Sequence, residues 1–301
     1  MKQKIVVVCG ATASGKTGLA VGLAKALGGE VISADSMQVY KELSVGTAKP
    51  TAGEMSGVPH FLIDIVSVQS GFSVAEYVKL AGECARDILS RGKLPIICGG
   101  TGLYIDNFIN NTRFTECGND LEYRRHLEQF TGEELHARLC EVDIKSAEAI
   151  HANNKKRLVR ALELYKVTGR AKSEIDAESR LAGPEYDFIK LGLGYNNREL
   201  LYGRIDRRVD GMLEAGLVGE AEGLLAYKDS IRRIGAIGYG EIFDYFDGVC
   251  GLGQAITDIK RNTRRYAKRQ LTWFRRDINM RWVDASEQNL NKNIENCLKF
   301  I

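Results

Sequence analysis

The chain has 301 residues, enough for one large domain or for a core with a smaller domain added, and its 44% hydrophobic and 27% charged content is that of an ordinary globular protein. No run approaches the roughly 18 consecutive apolar residues that a membrane span needs. Net charge is only +3 at pH 7, so overall charge excludes neither small anions nor nucleic acid as partners.

The first element is the apolar run at residues 5–9, which opens on Met1-Lys2-Gln3-Lys4 with no apolar leader, so a cytoplasmic protein without a signal peptide is expected. The run leads straight into Gly10-Ala11-Thr12-Ala13-Ser14-Gly15-Lys16-Thr17, the pattern G-x-x-x-x-G-K-[ST]. A strand delivers such a loop, its glycines let the backbone curl, and a helix begins at its end with N–H groups facing the anion. Apolar positions 19, 20, 23, 24 and 27 predict that helix over 16–27, and Gly28-Gly29 stops it. Lys16 places a cation on the terminal phosphate, and the Thr17 hydroxyl is the expected Mg²⁺ ligand. The competing reading is a glycine-rich turn with no ligand. The loop does not say which phosphate it binds, because nucleotide kinases, GTPases, ATPases and transferases of diphosphate esters all use it.

Further strands are expected at 31–34, 61–65, 94–98 and again at 188–193, and helices at 73–91 and from about Thr101. This alternation is that of an α/β protein with a P-loop-type parallel sheet and crossover helices, and ligands belong at the carboxyl ends of its strands. Between Arg113 and Asp187 the pattern becomes helical and charged, with helices at 119–130, 132–142, 144–152 and 154–168. An inserted all-helical subdomain over 113–187 is therefore expected, with the core formed by 1–112 and 188–301. Later helices are expected at 197–215, 218–226 and 253–275.

Asp35 follows the second strand and reads either as a base at the phosphate site or as a plain cap, while Ser36 and Gln38 suit a base edge. Asp64 reads either as support for Mg²⁺ or as a turn residue. Thr101, after two glycines, can donate to a leaving-group oxygen or cap a helix. Seven scattered Cys (9, 84, 98, 117, 140, 250, 297) and four His contain no metal-ligand spacing and suggest no disulfide framework. Two basic clusters stand out: Lys155-Lys156-Arg157 with Arg160, and eight Lys/Arg without an acid between residues 260 and 276. They suit a polyanion, against the ordinary alternative of a solvated helix face.

Segments 10–17 (GATASGKT), 35–40 (DSMQVY), 46–50 (GTAKP), 59–65 (PHFLIDI), 99–105 (GGTGLYI), 157–164 (RLVRALEL), 237–241 (IGYGE) and 262–275 (NTRRYAKRQLTWFR) together resemble the bacterial tRNA dimethylallyltransferase (tRNA isopentenyltransferase) family. The resemblance runs in order over nearly the whole chain. It implies transfer of a dimethylallyl group from dimethylallyl diphosphate to N6 of the adenosine 3′-adjacent to the anticodon of tRNA, with release of diphosphate. The loop, including Gly10, Ala11, Thr12, Ala13, Ser14, Gly15, Lys16 and Thr17, would hold the diphosphate with Mg²⁺ and one arginine of Arg204, Arg207 and Arg208, of which Arg204 aligns best with the family. Asp35 would be the base and Thr101 the donor to the leaving oxygen. The tRNA would meet Asp35, Ser36, Met37, Gln38, Lys156, Arg157, Leu158, Val159, Arg160, Gly235, Ala236, Ile237, Gly238, Tyr239 and Gly240, and the helical insertion would also contact it. A monomer is expected. Ala11 stands where many relatives carry Pro and Gly240 where many carry Lys, which could remove one phosphate contact. Two rival functions are a transferase acting on free adenylate and a non-catalytic RNA-binding protein with a vestigial loop. The basic tracts argue against the first, and the joint presence of Lys16, Thr17, Asp35 and Thr101 argues against the second.

Overall fold

In a computed structural model, the structure describes residues 2–114, 118, 120–179, 181–286 and 289–301. The chain begins β1 (Lys4–Gly10), α1 (Lys16–Leu27), β2 (Gly29–Ser33), α2 (Ala52–Met55), β3 (His60–Phe61), α3 (Val74–Ser90), β4 (Leu94–Gly99) and α4 (Gly102–Ile109). Five helices follow: α5 (Leu121–Leu127), α6 (Gly132–Val142), α7 (Ile144–Ala149), α8 (Lys155–Thr168) and α9 (Lys172–Ser179). Then come β5 (Asp187–Gly194), α10 (Arg198–Glu214), α11 (Leu217–Gly223), α12 (Lys228–Ile234), α13 (Tyr239–Phe246), α14 (Leu252–Phe274), β6 (Arg281–Asp284) and α15 (Leu290–Leu298).

Local chemistry sets several of these ends. Gly28, in the left-handed region at φ 64°, terminates α1. Ser73 and Thr131 open α3 and α6 through reciprocal capping boxes with Glu76 and Glu134. The six strands form one all-parallel sheet in the order β3-β2-β4-β1-β5-β6. Central β1 is buried on both faces, as a parallel strand between helical layers must be. Ile5, Val7 and Cys9 pack on one side with Tyr77, Ile88, Tyr104 and Phe274. Val6 and Val8 pack on the other with Leu19, Leu23, Leu191 and Cys297. Each such side chain contributes roughly 1.5–3 kcal/mol of transfer free energy, and this fixes the strand whose end carries the phosphate loop.

The chain divides into two compact units, Met1–Ile109 with Tyr186–Ile301, and Asn110–Glu185. These boundaries differ from those expected at 112/113 and 187/188 by three and two residues. Tyr186 belongs to the sheet unit because its ring stacks on Phe108, 6.3 Å between centroids, and meets Phe188 edge-on. The helical unit is built around Leu127, Leu135, Leu139, Leu158 and Leu162. Beneath its surface lies Glu163, fully buried and held by Arg124 and Arg160.

Three sequence expectations need correction. The strand expected at 61–65 is only His60–Phe61, because Leu62 (φ 63°) and Asp64 (φ 58°) turn left-handed and Ile65 N–H bonds Val39 O instead of continuing the sheet. Several elements were not anticipated, among them α9, α12, α13, β6 and α15. The helix expected from 119 is α5, and Asn119 itself lies outside the described residues, as does Cys117. No helix among the described residues is long and apolar enough to cross a membrane.

Candidate active site

At the carboxyl end of β1 the backbone of Gly10 runs at φ 149°, with Leu193 O only 2.7 Å from where a Cβ would sit. No larger residue fits between β1 and β5 at that point. The loop then passes through Ala13 (φ 61°) and Gly15 (φ 90°) into α1. Gly15 provides no side-chain cap, so the first-turn amides of α1 remain donors for an anion. Ser14 Oγ is buried with no partner among the described residues, a second unsatisfied group in the same cradle. Lys16 Nζ folds back on the loop and donates to Ala11 O at 2.6 Å. Burial pulls the Lys16 ammonium down to about 8, aggravated by the nearby Arg208 cation and opposed by Asp35.

Helix α10 lays arginines over this loop. Arg204 Nε donates to Ala13 O at 2.9 Å, and its Nη2 lies 3.8 Å from the position of a Cβ on Gly15. Arg208 has a buried Nε with no partner among the described residues, and its Nη2 donates to Thr47 O at 3.3 Å. Burial lowers its pKa, with the Asp35 charge opposing the shift. Arg204, Arg207 and Arg208 line one hollow with Ser14, Lys16 and Thr17.

A second cavity, of ≈ 270 Å³, adjoins the first and shares Lys16, Thr17 and Arg208 with it. Asp35 stands in its wall. One carboxylate oxygen, Oδ1, accepts N–H bonds from Met37 at 2.8 Å and Gln38 at 3.2 Å, while no described residue donates to the other. Capping and a free acceptor oxygen therefore coexist in one side chain. Thr101 caps α4 with its backbone, and its hydroxyl accepts from Ser36 N–H at 3.0 Å and donates to Ser36 Oγ at 3.3 Å. Tyr266 lines the same cavity, its phenol pushed up to about 12 by burial and the Asp35 charge. Met37, Gly235, Ala236 and Ile237 line it as well, with Gln38, whose Nε2 holds Thr47 O and Ala48 O at 3.3 Å each.

The structure thus brings the phosphate loop, Asp35, Ser36, Met37, Gln38, Arg204 and Gly235 to Ile237 to one end of one sheet, and Thr101 with them. It does not bring all the expected RNA contacts to the surface. Tyr239 is fully buried, its hydroxyl donating to Glu220 at 2.6 Å and accepting from Gly46 N–H, so it is a core residue. Gly238 N–H is spent on Glu241, and Gly240 lies within α13, with open space where a side chain would be. Leu158 and Val159 are core residues of the helical unit, because α8 turns that face inward. Arg160 is ion-paired with Glu163 at 2.8 Å, whereas Lys156 and Arg157 are exposed. Asp64 lines neither cavity: it is 53% exposed and ion-paired with Lys49, which excludes the metal-supporting reading.

Sequence reasoning preferred Arg204 to Arg207 and Arg208 for the diphosphate, and it passed over Gln270. Arg208 and Gln270 both had a signal. Arg207 and Arg208 lie three and four residues from Arg204 and so share its helix face, and of the three Arg208 alone lines both cavities. Gln270 falls on the stripe of Ala255, Ile259, Ala267 and Phe274 that α14 buries, where a polar residue needs partners.

Residues 38–277 match the family model described as IPP transferase. A tRNA dimethylallyltransferase of Bacillus cereus (strain B4264) is 47% identical over 293 residues, 95% of this chain and 91% of that protein. One of Acetivibrio thermocellus is 47% identical over 304 residues, 99% and 97% of the two chains. The crystal structure of the full-length tRNA isopentenylpyrophosphate transferase of Bacillus halodurans superposes with a TM-score of 0.75 at 44% identity, covering 99% of this chain and 95% of that one. A eukaryotic dimethylallyltransferase acting on tRNA gives 0.85 at 30% identity over 98% of this chain and 77% of that one. The family model spans most of the chain, and the relatives and solved structures match it along nearly the full length. The chain belongs to the IPP transferase family.

Proposed function

We propose that the protein transfers a dimethylallyl group from dimethylallyl diphosphate to N6 of the adenosine 3′-adjacent to the anticodon in tRNA, releasing diphosphate. The observation that carries this reading is the shared wall between the two cavities. Lys16, Thr17 and Arg208 line both an arginine-rich anion cradle and a cavity that holds a carboxylate. A kinase must deliver a second phosphate acceptor to such a loop. A prenyl transfer needs only an anchored diphosphate on one side and a nucleophilic base on the other.

In the reaction the C1–O bond of the donor breaks and the electron pair leaves with the diphosphate. N6 bonds to C1, and the N6 proton passes to the Asp35 carboxylate oxygen that has no described partner. Charge growing on the leaving group is met by the α1 amides, Ser14 Oγ, Lys16, Arg204 and Arg208. The Thr101 hydroxyl, now turned to Ser36, is the donor for the oxygen leaving C1. An adenine stacked in the anticodon loop cannot reach Asp35, so it is extruded at a cost of a few kcal/mol and received by Ser36, Met37 and Gln38.

Mg²⁺ fits the donor set. Among the described residues no group of three or more His, Cys, Asp or Glu could cage a metal, yet the Thr17 hydroxyl and the Asp35 carboxylate line one cavity. Such sparse oxygen ligation suits a cation that takes its other ligands from water and substrate phosphates. Thr17 would hold it, and when bound it would neutralise diphosphate charge.

RNA phosphates would be met by the exposed cations of α14 and, on the helical unit, by Lys156 and Arg157. On this reading the protein acts as a monomer in the cytoplasm. The test is to incubate the protein with dimethylallyl diphosphate and unmodified tRNA, digest to nucleosides and weigh them. N6-dimethylallyl-adenosine next to the anticodon is expected. Modification of free AMP but not of tRNA would replace this reading with a free-adenylate transferase.

A further inference from the structure

The phosphate loop and the Thr101 turn are tied together by a side chain that belongs to neither. Gln270 on α14 is 6% exposed. Its Oε1 accepts the Thr12 N–H at 2.8 Å, and its Nε2 donates to the Gly100 carbonyl at 2.9 Å. The amide has only one orientation here, because the N–H needs an acceptor and the carbonyl needs a donor. The turn is also pressed onto α14: a Cβ on Gly100 would lie 2.2 Å from Gln270 Nε2, and one on Gly102 2.2 Å from Trp273 Cδ1. Trp273 in turn donates its indole N–H to Asp106 on α4 at 2.8 Å. From Gly100 the chain passes directly to Thr101, whose hydroxyl receives Ser36 N–H beside Asp35.

We propose that Gln270 is a positioning residue for the transfer reaction, setting the separation between the phosphate loop and the Thr101–Asp35 edge. The proposal rests on the prenyl-transfer reading above. Both polar atoms of Gln270 hold backbone groups of the two loops, so it acts through them even though its side chain borders the cavity beside Tyr266. A loop that slides relative to Thr101 still binds diphosphate, but it presents C1 at the wrong distance from the adenine. Misplacement of about 1 Å costs on the order of 10²-fold in rate, far more than it costs in binding.

The experiment uses the full chain with Gln270→Met, which keeps length and loses both hydrogen bonds, and Gln270→Glu. Turnover, KM for both substrates, affinity for inorganic diphosphate and melting temperature are measured for each. Gln270→Met is expected to lose about 10–100-fold in kcat, with KM for tRNA and affinity for inorganic diphosphate within about threefold of the parent. A protonated carboxyl can still accept from Thr12 and donate to Gly100, whereas a carboxylate cannot donate. The kcat of Gln270→Glu relative to the parent is therefore expected to rise as pH falls from about 8.5 to about 6. The charged and titratable groups that share this cavity with Gln270 are Lys16 after the loop, Asp35 after β2, His60 on β3, Cys98 on β4, Arg208 on α10, and Tyr266 and Arg269 on α14. All are common to both proteins and cancel in the ratio.

A Gln270→Met protein with parental kcat overturns the proposal. So does a loss that disappears once activity is expressed per folded molecule. Should Gln270→Met fail to fold, a flat ratio for Gln270→Glu across the pH range overturns it instead. Absence of modified nucleoside with the parent protein would refute the prenyl-transfer reading itself, an outcome separate from any result with the variants.

Discussion

Asp35 carries two jobs that a single substitution can separate. In Asp35→Asn the amide oxygen still accepts from Met37 and Gln38, so the cap survives while the base is lost. Turnover should fall by about 10²–10⁴-fold with an unchanged melting temperature and tRNA affinity; near-parental kcat would remove Asp35 from the chemistry. Lys16 makes a pH prediction. Its folded pKa of about 8 lies below the 10.5 of an ordinary lysine, so below pH 8 the free protein already holds the ammonium that diphosphate prefers. Above pH 8 that proton must be taken up on binding. Donor affinity should be flat below about pH 8 and weaken by up to about tenfold per unit above it. Calorimetry in buffers of different ionisation enthalpy would register the proton uptake, and its absence at pH 9 would mean that Lys16 stays charged without ligand.

At the scale of the element, α14 decides how its charge run is read. Lys260, Arg261 and Arg264 are ion-paired with Asp210, Asp258 and Asp206, whereas Arg265, Lys268 and Arg275 are exposed on one face. Arg264 is thus a poor choice for testing RNA contact. Changing Arg265, Lys268 and Arg275 together to Gln should weaken all tRNAs alike, and each lost phosphate contact should reduce the slope of log K against log salt by about 0.7–0.9. Parallel lines in filter binding would mark this face as merely solvated. The same comparison for Arg264→Gln should leave the slope unchanged. The helix was legible from its apolar period, but nothing in the linear charge run distinguishes a cation paired with α10 from one left to solvent.

At the scale of the whole chain, the helical unit has its own core and its own weak point. Burial resists ionisation of Glu163, but the hydrogen bonds from Arg124 and Arg160 outweigh it and hold the carboxyl below its usual range. That stabilisation is present above the ordinary carboxylate pKa and is lost as pH falls through the lowered folded value. Glu163→Ala should loosen this unit, at a cost of about 2–5 kcal/mol, because it removes a buried partner and leaves a cavity. Amide exchange across α5 to α8 should accelerate, while amides of β1 and α1 keep their protection and diphosphate still protects the sheet unit from unfolding. Equal acceleration in both units would mean that they unfold as one.

What the linear order of residues determined by itself is what depends on near neighbours. The apolar run into a glycine loop and an amphipathic helix specified the phosphate cradle, and the strand–helix alternation specified a parallel sheet, because period and turn chemistry are local properties. Tertiary structure alone decided which side chains of a marked segment face the site. Tyr239 and Leu158 carry the same motif letters as their neighbours, yet one is buried against Glu220 and the other in a helical core. Asp64 was chosen for its place after an apolar run, and left-handed turns at Leu62 and Asp64 took it away to Lys49. Gln270 lies 258 positions from Thr12 in sequence and 2.8 Å from it in space. Only closure of the chain brings such partners together, since an amide states that it needs a donor and an acceptor but not where they are.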